Sequence, residues 1–299
     1  MSAPLRIPVL RHLAWLAQAP RLYSGQAAFD STAYLPHDWL QTLQMWEQHP
    51  DLAPSILWQP PPRRLGAYFE TLYAVLLQHL LGWRIEARNL QVIVEGHTLG
   101  ELDFLVTNPL TGKLEHHEIA VKFYLGFEAS DAVHWVGPNS RDTLARKEKA
   151  LRERQSRLTD RPETAALLAQ RGYGPVEQSR IFMPGYLFQP VGRALPVPAG
   201  VEHVPDTSHW CHRSRFEPEA GEWVLLEKPN WLGPFYYPGP AHFQDDAVIL
   251  SAREATEYAR TLERPGLLAR LEPFGREGGW QEVERIFIVP DVWPGSSYG

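Results

Sequence analysis

Apolar residues recur along this chain with two periods, and the change from one to the other marks its elements. Leu10, Leu13, Leu16 and Ala17 follow a helical spacing, as do Trp39, Leu40, Leu43 and Trp46. Pro60, Pro61 and Pro62 close that region, because consecutive prolines cannot continue a helix. The segment Leu65 to Leu81 predicts an amphipathic helix with Phe69, Leu72, Tyr73, Leu76, Leu77 and Leu80 on its apolar side. Beyond Gly82 the period shortens to two. Strands are predicted at Leu90–Val94, Leu99–Val106 and His116–Leu125, separated by Glu95-Gly96-His97 and by the turn sequence Asn108-Pro109-Leu110-Thr111-Gly112.

After the meander, Gly137-Pro138-Asn139-Ser140 offers a cap to a predicted helix with Leu144, Leu151 and Leu158 at seven-residue spacing. Short strands are expected at Arg180-Ile181-Phe182, Val224–Leu226 and Arg285-Ile286-Phe287. Ala252–Leu271 is expected to be helical apart from a break at Pro265. The implied class is α+β with a mixed sheet. It divides into a helical cap over residues 1–62, a core with a following basic helix over 63–161, and a C-terminal α/β part over 162–299 packed on the core as one continuous domain.

Composition narrows the function. The 299 residues are 44% hydrophobic and 21% charged, as in an ordinary globular chain. No apolar run approaches the roughly 18 residues of a membrane-spanning helix, so no membrane partner is expected. The patch Leu13–Ala17 is too short for a signal peptide, and Cys211, the single cysteine, excludes an internal disulfide and a multi-cysteine zinc site. A cytoplasmic location is expected. The net charge of −6 makes any basic surface local. One such surface lies between Arg141 and Arg161, where eight basic and four acidic side chains alternate. That segment reads either as a solvated helix face or as a cationic arm beside a phosphate-bearing groove, with Arg141, Arg146, Lys147 and Lys149 as its contacts.

The candidate chemistry lies in the meander. Alternation puts Glu101 and Asp103 on one face of their strand, with Leu102, Phe104 and Val106 on the other. It puts His116, Glu118, Ala120 and Lys122 on one face of the next strand. A turn centred near Leu110 and Thr111 sets Asp103 opposite Glu118 and Glu101 opposite Ala120. Two carboxylates so close repel unless a cation or a proton lies between them. Such a pair with a lysine suits a Mg²⁺- or Mn²⁺-assisted hydrolysis of a phosphodiester, in which hard oxygen ligands hold the ion. The same pattern also describes the wet side of a sheet. His116 and His117 face opposite ways, and His116 reads as a surface histidine or a proton shuttle. Trp135 reads as a core residue or a base-stacking platform.

The order of a helix bearing Glu70, then GELDF, then a strand bearing Glu and Lys resembles the PD-(D/E)XK, or restriction-endonuclease-like, nuclease superfamily over residues 65–127. More narrowly, GELDFLV (100–106), EIAVKFYLG (118–126) and WVGPN (135–139) resemble the bacterial family of domain of unknown function 1853. The superfamily resemblance implies a restriction-endonuclease-like core and a metal-dependent nuclease, acting on DNA in preference to RNA. In that likeness Asp103 is the strand aspartate, Lys122 the lysine and Glu70 the helix glutamate. The sequence departs from the pattern at Ala120, where a carboxylate is expected. Glu118, about 6.6 Å upstream along the strand, and Glu101 are the candidates to replace it. The alternative is a fold that binds nucleic acid or protein without cutting.

Overall fold

A computed structural model describes residues 5–201, 207–239, 247–275 and 279–295. Pro8 opens α1 (Pro8–Ala17) at a position where its missing N–H leaves no hydrogen bond unmade, and α2 (Trp39–Gln48) follows. Both predicted helical patterns are borne out. Helix α3 (Leu65–Val75) continues into a π-turn at Leu76–Leu80 and buries Phe69, Leu72 and Tyr73 completely or nearly so.

Strands β1 (Arg84–Val94), β2 (His97–Thr107) and β3 (Leu114–Ile119) form the expected antiparallel meander. Gly96, at φ +79°, occupies the tight β1–β2 turn. Asn108 sets the second turn. Its side-chain oxygen accepts the N–H groups of Leu110 and Thr111, and its amide donates to Glu115 at 2.8 Å. The resulting register pairs Phe104 with His117 and Leu105 with His116, the alignment that brings Asp103 to Glu118.

The third predicted strand divides. Residues 116–119 stay in the first sheet, whereas β4 (Lys122–Ala129) joins β5 (Ala132–Val136) in a second. The cause lies in the partner strand, which divides at the same level into β6 (Gln178–Phe182) and β7 (Gly185–Pro190), separated by Met183 and Pro184. Pro184 has no N–H to give the ladder, though its carbonyl accepts Lys122 N–H at 3.1 Å. The backbones close tightly there, since a Cβ on Gly185 would lie 1.9 Å from the carbonyl oxygen of Lys122. β3 runs parallel to β6 and β4 parallel to β7, so one two-strand ribbon crosses from the first sheet into the second.

Helix α4 (Leu144–Ala150) replaces the long helix expected through residue 161. It passes into a π-turn at Leu151–Gln155 and a short 3₁₀ turn at Leu158–Asp160, before α5 (Pro162–Gln170). Leu144, Leu151 and Leu158 are all buried, as their spacing predicts. The chain then adds β8 (Ser208–His212), β9 (Glu222–Leu225), β10 (Tyr236–Tyr237), β11 (Ile249–Ser251), α6 (Ala252–Thr261), β12 (Gly266–Phe274) and β13 (Gly279–Val289). The strands expected around Ile181, Val224 and Ile286 are present. The helix expected through Leu271 stops at Thr261, and the residues past Pro265 form β12, because Leu267, Leu268 and Ala269 fill a strand paired on both sides.

The first sheet has the order β1-β2-β3-β6, and the second β11-β9-β12-β13-β8-β7-β4-β5, with β10 beside β13. The class is mixed α+β. Phe29 N–H donates to Ile181 and Ile181 N–H to Ala27, so the N-terminal segment is hydrogen-bonded along β6. One apolar core links α1, α3 and both sheets through Tyr73, Phe104, Phe182, Phe188 and Phe287.

Candidate functional site

Both faces of β3 are buried, which corrects the expectation of a wet acid face. On one side Tyr73 and His117 Nδ1 share a 2.7 Å hydrogen bond, and His117 Nε2 lies 3.4 Å from Glu115. Glu115 also accepts from Asn108 and Arg180. Although burial opposes its charge, these partners hold its carboxyl below the usual carboxylate range. The network fastens α3, β3 and β6 together, with Glu115 and His117 buried and Arg180 partly exposed at its edge.

The opposite side carries the predicted chemistry. Asp103, on β2, and Glu118, on β3, lie within hydrogen-bonding reach of each other. Asp103 Oδ2 accepts the N–H of Ile119 at 2.9 Å. Gln155, from the π-turn, donates its amide to Glu118 Oε1. Burial first, and then the neighbouring Asp103 charge, raise the pKa of Glu118; burial also raises that of Asp103. A proton shared by the pair satisfies both shifts.

His116 joins this side and is fully buried, not a surface residue. Its Nδ1 meets Ser179 at 3.4 Å, and burial depresses its pKa to about 3, so the ring is neutral. Its Nε2 faces Glu118 Oε2 at 3.6 Å, and among the described residues neither atom has a hydrogen-bond partner.

The other sequence-predicted residues separate into two groups. Glu70 and Glu101 stand at the edge of the pair. Glu70 accepts from Asn89 at 3.3 Å and acts on Asp103 through its charge, while the exposed Glu101 acts on Glu118 in the same way. Lys122 does not share a strand face with the acids, because the ribbon turns at Ala120 and Val121. Its ammonium instead binds Asp142 at 2.6 Å. Ala120 packs partly buried against the apolar cluster that contains Tyr124 and Leu151.

Lys147, and not Lys122, is the lysine whose charge acts on both acids. It is half-buried, lies in the field of Glu118, Asp103 and Asp142, and donates to Gln155 at 3.1 Å. The expected outward row therefore reduces to Arg141, Arg146 and Lys149. Of these, Arg146 faces Asp142 at 3.9 Å and Lys149 faces Glu153 at 3.9 Å. Trp135 is a buried core residue. Leu102, Phe104 and Val106 are all buried, as the alternation on β2 predicts; Leu102 clusters with Leu105, Leu158 and Leu168, whereas Phe104 and Val106 join the Tyr73 cluster.

Gln155 and Asp142 were not singled out from the sequence. Lys147, Leu151 and Gln155 recur at every fourth residue, which places them along one helical face beside the leucine seam. That spacing was the available signal. Asp142 carried none, since its role depends on where β4 begins.

A family model described as a domain of unknown function, DUF1853, matches residues 11–289. The chain belongs to this family. No curated protein and no solved structure matches the chain. The DUF1853 match spans both sheets, and so takes in the acid pair, Lys147 and the ribbon between them. Among the described residues, no helix is long and apolar enough to cross a membrane.

Proposed function

We propose that this DUF1853 protein is a metal-dependent nuclease, hydrolysing phosphodiester bonds of nucleic acid, DNA in preference to RNA. The observation that carries the reading is the buried Asp103–Glu118 pair with the Lys147 ammonium in its field. Two carboxylates driven together in a desolvated place are stabilised by a proton or by a hard cation. Further support comes from the order of helix α3, meander and acid-bearing strands, on which the superfamily resemblance rests.

The donor set fits Mg²⁺ or Mn²⁺ of the kind that keeps most of its water. Among the described residues no three His, Cys, Asp or Glu side chains gather round one point, while two carboxylates do, and Glu118 Oε2 has no partner there. Asp103 and Glu118 would hold the ion, with Glu70 and Glu101 adding negative charge at the edge. Bound there, it would supply an acidified water and neutralise phosphate charge.

The chain's own groups do the rest. Ile119 N–H and the Gln155 amide fix the orientation of the two carboxyls. Lys147, its pKa lowered chiefly by burial, meets the charge that grows on the phosphate. Lys122 is clamped to Asp142 and adds positive potential on Lys147's other side.

A second reading, binding without cleavage, is favoured by Ala120 and by the fact that Gln155 and Lys147 already satisfy part of the acid pair. One experiment separates them. Purified protein is incubated with Mn²⁺ or Mg²⁺ and single-stranded, double-stranded and branched DNA and RNA, beside Asp103→Asn and Lys147→Met. Cleavage abolished in both variants supports the nuclease. No cleavage of any substrate, with no metal-dependent stabilisation, rejects it.

A further inference from the structure

The loop after β5, Gly137 to Asp142, begins inside the WVGPN run of residues 135–139, yet the acid-pair site uses only Asp142. The preceding four residues, Pro138 to Arg141, line a cavity of about 550 Å³. Its other walls are the turn Glu263–Pro265 and the segment Pro290–Gly295. Two arginines from distant parts of the chain, Arg141 and Arg264, therefore line one cavity.

Neither arginine makes an ion pair among the described residues, and both are exposed. Nearby arginines behave differently, Arg146 facing Asp142 and Arg213 gripping Asp291 at 3.1 Å. Glu263 is the one acid in the lining, so the walls carry two positive charges against one negative. Asn139 and Ser140 add an amide and a hydroxyl.

The walls are stiff before anything binds. Pro138, Pro265, Pro290 and Pro294 all contribute. Ser140 holds φ +58°, a conformation that hydroxyl residues rarely adopt. It is kept by Ser140 N–H to Gly137 at 2.8 Å and by Gly137 N–H to Asp142 at 2.8 Å. Trp293, 6% exposed, lines the same cavity, and its indole N–H has no partner among the described residues. Two arginines on a constrained backbone, with further donors beside them, are suited to the oxygens of a phosphate.

We infer that this cavity binds the phosphate monoester of a nucleotide, either at the end of a nucleic-acid strand or on a free mononucleotide. The inference rests on the nucleic-acid reading of the acid pair and deepens it, naming a second anchoring point joined to the first through Arg141 and Asp142. A monoester is chosen over a backbone diester because its three unesterified oxygens offer one more acceptor to the two arginines and to the Asn139, Ser140 and Trp293 donors.

The test measures fluorescence anisotropy with labelled oligonucleotides that carry or lack a terminal phosphate, in EDTA so that nothing is cut. The full chain is compared with Arg141→Gln, Arg264→Gln and Asp103→Asn. The terminal phosphate is expected to raise affinity about tenfold or more in the native protein and in Asp103→Asn. That gain should vanish in both arginine variants. Competition by a nucleoside monophosphate above that of inorganic phosphate assigns the cavity to a nucleotide, and equal competition assigns it to the phosphate group alone. A gain absent from the native protein, or kept in either arginine variant, overturns the inference. Loss of the nuclease reading would appear elsewhere, as failure of Asp103→Asn to alter cleavage.

Discussion

Nε2 of His116 and Oε2 of Glu118 face each other at 3.6 Å in a place closed to water, two residues apart on one face of β3. The ring is neutral, and the carboxyl is biased toward its protonated form by burial and by Asp103.

This arrangement predicts a stability that depends on pH in a defined direction. A carboxyl raised to about 9 in the folded chain contributes stability fully below its unfolded value near 4.5, and loses it as pH rises toward 9. His116, depressed to about 3, acts oppositely: its contribution is full above 6.5 and lost as pH falls. Asp103, Glu101 and Lys147 also act on Glu118, so the slope belongs to the cluster. Glu118→Gln should flatten the decline in denaturant midpoint between about pH 6.5 and 9. An unchanged slope would show that Glu118 is ionised in the folded chain.

The proposed metal binding would follow the same linkage. Because the ion competes with the shared proton, Mn²⁺ should raise the melting temperature more at pH 8.5 than at pH 6. At a concentration of 100 Kd the stabilisation is about 2.7 kcal/mol. Calorimetry with and without Mn²⁺ reads it, and Asp103→Asn should remove it.

The two lysines should separate kinetically. Lys147→Met is expected to lower kcat about 100-fold, the size of loss seen when one preorganised charge donor is removed. Lys122→Met removes the shortest contact of Asp142, leaving it Tyr124 and Arg146, and should loosen the loop after β5, so KM should rise more than kcat falls. Equal losses in both variants would return Lys122 to the centre of the site.

Two buried networks predict stability without touching the acid pair. Arg285, 2% exposed, is held by Glu282 and by the carbonyl of Trp231 at 3.0 Å. Arg285→Met leaves Glu282 uncompensated and should cost about 3–5 kcal/mol in urea unfolding. Tyr73→Phe strands His117 Nδ1 and should cost about 1–3 kcal/mol.

The hairpin register was legible because Asn108 and Gly112 specify the turn and the alternation specifies the faces. Asp103 and Glu118 were therefore brought together correctly from residues alone. The destination of Lys122 was not legible, since it depends on Pro184 and Gly185, some sixty residues away, which divide the ladder. Burial of the acid face was hidden for a similar reason: the cover, Leu151 and Gln155, lies on a segment whose charge suggests solvent. Past Pro265, the run of Leu267, Leu268 and Ala269 is equally apolar as helix or strand, and only pairing with β9 and β13 decides between them.

The ribbon that crosses both sheets has a consequence for any attempt to dissect the protein. Glu118 lies just before its joint and Lys122 just after, while the strand that completes the first sheet comes from residues 178–182. A fragment ending at residue 161 would keep every proposed ligand and still lose the neighbour along which β3 is laid. The joint also separates the acid pair, on the first sheet, from Lys122, the first residue of β4 in the second. A ligand that engages both would thus lie across the junction of the two sheets, and its binding would need the whole crossing ribbon intact.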